Sequence, residues 1–287
     1  MPVAIMTGAN SGIGFSISKE LARNGYKVYA TDIKLDKVEE LSQTDEFKDK
    51  IVPYLCDVAQ LESVLKLKEK IVADEGKLDL LYNNAGIACS TSAIDASDEI
   101  FMKAFQINFF GAVRLTREFS RLLIASKGTI CFTSSVTGII PFPIGSMYCS
   151  SKAALTQYAA TVHMELAPLG VKVMNFITGA IDTGIMDRSP LPEGSIFDTP
   201  EGNEAIRCRR SIVNDTNPTK PEDYAKQVVA DILKGDIYGI HYYRGKGAKM
   251  LTAAYYSLPV WLRESYLLKK YKFDAFYSSF LKAEESA

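Results

Sequence analysis

Ser135, Tyr148 and Lys152 are the residues of this chain whose types and spacing suit chemistry most directly. Tyr148 and Lys152 stand four positions apart, so on a helix opened by Tyr148 the lysine lies one turn along on the same face. An ammonium in that place sits near the phenol oxygen and favours its ionised form. A free tyrosine, with a pKa of about 10, is a poor general acid or base at neutral pH. One beside a fixed cation is closer to usable. Ser135 closes a strand expected over 129–133 and is placed to hold a substrate oxygen against the phenol. A Tyr-x-x-x-Lys pair is common, and the alternative is a surface tyrosine and lysine that merely share the spacing. The elements around the pair decide between the two.

The chain opens with an apolar strand, Pro2–Met6, that leads into Thr7-Gly8-Ala9-Asn10-Ser11-Gly12-Ile13-Gly14. A helical pattern follows (Phe15, Ile17, Leu21, Ala22) and stops at Asn24-Gly25. A second strand, Lys27–Thr31, ends at Asp32. This is a βαβ unit with a glycine-rich first turn, the opening of a dinucleotide-binding fold. Glycines at 8, 12 and 14 allow a tight turn and let the backbone approach a pyrophosphate at a helix N-terminus. The turn residues Gly8, Asn10, Ser11, Gly12, Ile13 and Gly14 are therefore candidate cofactor contacts; the alternative is a tight turn with no ligand. A carboxylate at Asp32 can accept both adenosine ribose hydroxyls and would repel a 2′-phosphate. That favours NAD(H), with NADP(H) as the alternative through Lys34. An N-capping role for Asp32 is compatible with either.

Strand and helix patterns alternate through the rest of the chain. Helices are expected at 35–47, 61–73, 98–125, 148–167 and 221–234, and strands at 51–56, 78–82, 129–133, 171–177 and 238–243. That alternation predicts an α/β fold, a single Rossmann-like, doubly wound parallel sheet with helices on both faces. Residues 179–218 are rich in Gly, Pro, Ser and Asp and read as loop with short helices. The expected boundaries are a dinucleotide domain over 1–246, its substrate loop at 184–215, and an aromatic-rich helical appendage over 247–287.

Of the 287 residues, 47% are apolar and 23% charged, ordinary for a globular chain, and the net charge of −1 argues against nucleic acid as a partner. The five cysteines form no Cys-x-x-Cys pair, which points to reduced thiols and a cytoplasmic protein. No apolar stretch reaches 18 residues, and the short apolar start reads as a strand rather than a signal peptide. His163 and His241 lack metal-ligand company, so no metal site is expected.

These motifs together, in this order over about residues 1–245, resemble the short-chain dehydrogenase/reductase family. The resemblance implies hydride transfer between a nicotinamide cofactor and a ketone or secondary alcohol. Asn108, in Ile107-Asn108-Phe109-Phe110-Gly111, matches the family's Asn-x-x-Gly, and so joins Ser135, Tyr148 and Lys152 as a catalytic candidate. Asp57 and Val58 resemble the adenine-contacting pair, and Asn84, Ala85 and Gly86 fall in the Asn-Asn-Ala-Gly turn beside the adenosine ribose. Ile33 stands where NADP-using members often carry arginine. Gly179, Ile181 and Thr183 match the segment that receives the nicotinamide carboxamide, with Thr178 replacing the usual proline, which predicts a looser turn. Tyr148 and Lys152 are also implied as cofactor contacts. The family's pairing of two long helices implies a homodimer or homotetramer. A non-catalytic dinucleotide sensor or scaffold is the alternative from another class.

The substrate loop carries Ile185, Met186, Leu191, Ile196, Phe197 and Ile206, which predicts an apolar pocket and a lipid-like ketone. Arg207 and Arg210 share a helical face and either meet a phosphate or form a solvated basic surface. Segments such as Lys77–Gly86 and Tyr224-Ala225-Lys226-Gln227 resemble the fungal 1-acyldihydroxyacetone-phosphate reductases, an NADPH-dependent branch that sits near the hydroxysteroid dehydrogenases. The aromatic and lysine-bearing tail admits two readings. One is a peripheral contact with a membrane, such as the endoplasmic reticulum or a lipid droplet. The other is a helix pair packed on the substrate loop.

Overall fold

The computed structural model describes residues 1–185, 189–235 and 239–285, with the backbone alone for 212–215. Met186 and Tyr238, each part of an expectation above, lie outside the described residues. Strand β1 (Val3–Thr7) is buried at every position, as a central strand covered on both faces must be. Its side chains alternate, Val3 and Ile5 to one core and Ala4 and Met6 to the other. Around it the chain alternates α1 (Gly12–Arg23), β2 (Lys27–Asp32), α2 (Asp36–Ser42), β3 (Ile51–Leu55), α3 (Leu61–Asp74) and β4 (Leu80–Asn83). Next come α4 (Asp98–Phe105), a π turn over Gln106–Phe110, α5 (Gly111–Ser126), β5 (Thr129–Ser135), α6 (Ser146–Leu166) and β6 (Lys172–Thr178). The chain closes with α7 (Pro200–Asp215), α8 (Pro221–Lys234), β7 (His241–Arg244), α9 (Ala248–Ser257), α10 (Val260–Lys270) and α11 (Phe273–Glu285).

The strands of this sheet are all parallel, in the order β3-β2-β1-β4-β5-β6-β7. Helices α1 and α8 cover one face through Ile17, Leu21, Val228 and Ile232. Helices α3, α5 and α6 cover the other through Val64, Leu67, Phe119, Leu155 and Ala159. The strand order reverses at β1, between β2 and β4, and in such sheets the ligand crevice opens beyond the carboxyl ends of the strands there.

Two expectations need correcting. The segment over 179–218 holds one long helix rather than short ones, because α7 runs 16 residues through it. Its apolar side, Ala205 and Ile206, packs with Ile144 and Phe197 and with Tyr271, Phe273 and Phe276 of the distant tail, so local periodicity understates it. The expected 98–125 helix is instead two α-helices joined by the π turn that carries Asn108.

Candidate active site

One cavity, with a volume of about 1470 Å³, runs from the carboxyl ends of β1, β2 and β4, past Ser135, Tyr148 and Lys152, to the inner sides of α9 and α10. Its first end is built by backbone. Gly8 and Gly12 have positive φ, +66° and +50°, in the left-handed region that favours glycine. A Cβ on Gly8 would lie 2.9 Å from the Ala85 Cα, and one on Gly14 would run into the Gly8 carbonyl oxygen. Thr7 and Asn84 tie the strand ends together. The Thr7 hydroxyl accepts from the Asn84 and Ala85 N–H groups at 2.9 and 3.0 Å, and the Asn84 amide donates to the Thr7 carbonyl at 2.9 Å while accepting from the Thr133 hydroxyl at 3.0 Å.

Gly8, Ser11, Gly12, Ile13, Asp32, Asp57, Val58, Asn84, Ala85 and Gly86 all line this end. At the next stretch Gly179, Ile181 and Thr183 line it as well. Asn10 and Gly14 do not. Gly14 underlies the turn, and Asn10 is turned to α2, accepting from the Lys37 and Val38 N–H groups and donating to Asp36. Thr183 covers Gly12, its Cβ 3.1 Å from where a glycine-12 side chain would begin. The Ser11 side chain makes no capping bond at the start of α1, leaving the helix's positive end toward the cavity. This cradle fits a nicotinamide dinucleotide: close backbone, a helix N-terminus, and the acids Asp32 at the end of β2 and Asp57 just beyond the neighbouring strand β3.

The reacting end is organised by α6 and β5. Tyr148 and Lys152 both line the cavity, one turn apart on α6, and Ser135 ends β5 beside them. The ammonium of Lys152 does not sit on the phenol oxygen. It donates to the Thr133 carbonyl at 2.9 Å and lies 5.8 Å from the centre of the Tyr148 ring. The phenol is accordingly not pushed towards ionisation: burial drives its pKa up to about 12, against smaller lowering effects from the Ser135 hydroxyl and the Arg209 guanidinium. Burial also pulls Lys152 down to about 8. Desolvation sets the direction of the shift at both groups. The result is a phenol that holds its proton more firmly than a free tyrosine does.

Asn108 is buried behind this site and does not reach the cavity wall. Its side chain accepts from the Ile87 N–H at 2.8 Å and donates to the Ile87 carbonyl and the Ser151 hydroxyl, both at 3.1 Å. Gly86 separates it from the lysine: a Cβ there would be 3.2 Å from Asn108 Oδ1 and 3.5 Å from Lys152 Nζ. Gly111, the last residue of that motif, lets α5 pass Val58, whose Cγ2 would be 2.7 Å from an added Cβ.

A model of the short chain dehydrogenase family matches residues 2–193. The chain belongs to that family. It is an NAD(P)-dependent oxidoreductase. It is 43% identical over 274 residues to the NADPH-dependent 1-acyldihydroxyacetone phosphate reductase of Saccharomyces cerevisiae, covering 95% of this chain and 92% of that one. To the Schizosaccharomyces pombe protein of the same name it is 32% identical over 225 residues, 75% of this chain and 72% of that one. An alcohol dehydrogenase from Thermococcus sibiricus, solved with 5-hydroxy-NADP, superposes with a TM-score of 0.69 at 25% identity, covering 85% of this chain and 96% of that one. A Streptomyces avermitilis short-chain dehydrogenase shares the fold, with a TM-score of 0.79 at 23% identity over 96% of this chain and 97% of that one.

The preference for NAD read from Asp32 is overturned by the two NADPH-dependent relatives. The structure supplies the physical reason. Asp32 is turned back on its own chain, accepting from the Asn10 N–H at 3.0 Å and from the Ile33 and Lys34 N–H groups at 2.7 and 3.4 Å. A carboxylate engaged in this way organises the turn, and its presence at a strand end is no reading of the ribose.

Thr178, expected to loosen its turn in this short-chain dehydrogenase, instead anchors it. Its hydroxyl pairs with the buried Tyr224 hydroxyl at 2.7 Å, and the Gly179 N–H donates to the Arg244 carbonyl at 2.9 Å.

Sequence reasoning missed three contributors. The Thr133 carbonyl holds Lys152, and Ser151 holds Asn108; a carbonyl carries no sequence signal, and Ser151 had only its place beside Lys152. Arg209 was passed over for Arg207 and Arg210, yet it is Arg209 and Arg210 that line the cavity, while Arg207 is exposed and paired with Glu204.

Proposed function

We propose that this short-chain dehydrogenase reduces the ketone of an acylated dihydroxyacetone phosphate, with NADPH as the reductant. The observation that carries this reading is the continuity of one cavity: Ser135 and Tyr148 stand between the glycine cradle and a chamber lined by Ile140, Phe142, Leu251, Leu258, Leu262 and Leu267. Such a chamber suits an acyl chain. The two reductases named above, which share 43% and 32% of their aligned residues with this chain, support the substrate class and the phosphorylated coenzyme.

Bound in the cradle, the dinucleotide supplies the hydride that reaches the carbonyl carbon. The Ser135 hydroxyl donates a hydrogen bond to the carbonyl oxygen and orients it. Tyr148, neutral at physiological pH as any tyrosine is and holding its proton more firmly for being buried, gives its proton to that oxygen as negative charge develops. Lys152, fixed by the Thr133 carbonyl, offsets the charge left on the phenol, and does so more strongly for lying away from water. Asn108 braces Ile87 and Ser151 and so holds α6 against the β4 loop.

The outer side of the same chamber supports entry from a lipid surface. Met250, Tyr256, Trp261 and Tyr266 are each at least 60% exposed, and Lys249 and Lys269 are interleaved with them. No described helix is long and apolar enough to cross a membrane, so contact of this kind is peripheral. Sedimentation with phosphatidylcholine–phosphatidylserine vesicles tests it: binding that survives Tyr256→Ala with Trp261→Ala dismisses this face as the contact.

The decisive assay follows nicotinamide absorbance with 1-palmitoyldihydroxyacetone phosphate and either NADPH or NADH. Turnover with NADPH, and little with NADH, is expected. Absence of any turnover of this ketone by a folded enzyme would sink the substrate assignment.

A further inference from the structure

The carboxylates along the cavity are confined to one end, while Lys103, Lys152 and Lys246 place cations elsewhere on its wall. Among the described lining residues the carboxylates are Asp32 and Asp57, both at the dinucleotide end. The end formed by α7 and the tail is lined by Arg209, Arg210, Arg263 and Lys270, with no carboxylate among the described lining residues. The acid of α7 nearest in sequence, Glu204, is engaged on the outer side of that helix, where it pairs with Arg207 and Lys272.

Arg209 is held in a built position. Its Nε donates to the Pro143 carbonyl at 3.2 Å, and its guanidinium lies 5.0 Å from the centre of the Phe142 ring and 5.9 Å from that of Tyr271. Lys270 reaches the same Tyr271 ring, its Nζ 5.9 Å from the centroid. Two cations from separate elements thus flank one aromatic side chain. Arg210 donates through Nη2 to the Ser189 carbonyl at 2.7 Å, and its Nε is buried without a hydrogen-bond partner among the described residues. The titratable groups that act on Arg209 are Tyr271, Cys149 and Tyr148, none of them an acid that ionises at neutral pH, and burial disfavours its charge. A guanidinium taken from water beside aromatic rings, with donors left over, is matched by an anion with several acceptor oxygens.

Resting on the reading that the chamber takes a lipid ketone, we propose that Arg209 and Lys270, with Arg210 beside them, form a subsite for the phosphomonoester of the substrate. The phosphate lies at Tyr271, where α7 meets the end of α10. The ketone carbon then faces Tyr148, and the acyl chain runs along Leu251, Leu258 and Leu262 towards the exposed face of α9 and α10. The subsite therefore sets which way round the substrate lies, and selects a charged lipid ketone over a neutral one.

The test measures binding, by titration calorimetry, of dodecyl phosphate and of dodecanol to the full-length protein saturated with NADP⁺. The native protein should prefer the phosphate by roughly 10–100-fold, the worth of hydrogen bonds to charged groups. Lys270→Gln and Arg210→Gln should each lower that ratio several-fold, and Arg209→Gln should bring it near unity. Lys270 is exposed, so its variant keeps the test sound if Arg209→Gln fails to fold. A phosphate-to-alcohol ratio unchanged in Lys270→Gln and Arg210→Gln overturns the subsite, as does a native protein that binds both ligands equally. Inorganic phosphate as potent as dodecyl phosphate would also overturn it, by showing a free-anion site. The outcomes separate from the reduction assay. A protein that selects dodecyl phosphate through these residues but leaves 1-palmitoyldihydroxyacetone phosphate unreduced keeps the subsite and loses the substrate assignment. One that reduces this ketone while its variants bind the phosphate unaltered keeps the activity and loses the subsite.

Discussion

The two ends of the cavity are made of different materials. The dinucleotide end is backbone: glycines with positive φ, strand termini in parallel register, and side chains such as Thr7, Asn84 and Asp32 whose partners are mostly main-chain N–H and C=O groups. The substrate end is side chain on side chain. Phe197 stacks on Phe276 with ring centres 4.9 Å apart, Arg209 lies between Phe142 and Tyr271, and apolar residues of α9 and α10 face both the chamber and the outside. A site built from backbone tolerates little variation, because a single methyl at Gly14 meets a carbonyl. A site built from packed side chains can be re-cut residue by residue, which is how one fold serves many substrates.

Substitutions can break that contrast, and the largest effect belongs at the junction of the two ends. Tyr148→Phe should cut the rate of reduction by roughly 10²–10⁴-fold while NADPH still binds, as followed by fluorescence of the bound coenzyme; an active variant would refute the role of the phenol. At the substrate end, Phe276→Ala should destabilise the protein by about 3–5 kcal/mol in chemical denaturation, because Phe276 is buried between α7 and α11. If the two ends are as separate as their construction implies, NADPH affinity in that variant stays near the native value under folding conditions. A loss in proportion to stability would show the cradle leaning on the tail.

A smaller and graded effect should appear with pH. Lys152 has its pKa lowered to about 8, so its charged form is present below that value and lost as pH rises through it. Tyr148 keeps its proton to about 12. The rate of ketone reduction should therefore hold up to about pH 8 and then decline, with Lys152 rather than Tyr148 setting the break. A profile that stays flat well into the alkaline range would mean that the ammonium takes no part. The mildest expectation is Thr178→Val, which removes the bond to Tyr224 at a cost of about 1 kcal/mol and should raise the KM for NADPH only slightly; calorimetric melting and coenzyme titration check the two together.

Much of the dinucleotide end was legible in the residues. The Gly8, Gly12 and Gly14 spacing between an apolar strand and an amphipathic helix has one economical explanation, and the structure places most of the nominated residues on one cavity wall. The NAD preference drawn from Asp32 failed because nearby N–H groups already engage its carboxylate, although Asp32 does line the cavity. Asn10 is likewise engaged by the N–H groups of α2 and lies off the wall. Helix α7 was hidden because its apolar surface is completed by residues of the tail, far along the chain. Lys152 shows the limit of spacing arguments. Four residues on a helix place two side chains on one face, but the direction of the longer one was set by a carbonyl on β5.

The sequence by itself determined that a glycine-rich βαβ unit opens a parallel sheet and that a serine, a tyrosine and a lysine follow in an order suited to carbonyl chemistry, because glycine turns and helical spacing are local properties. Only the tertiary structure decided that burial raises the tyrosine's pKa rather than the lysine lowering it, that the lysine answers to Thr133, and that Arg209 and Lys270 meet across Tyr271. Those outcomes depend on desolvation and on contacts between elements far apart in the chain, and neither is written in the order of the residues.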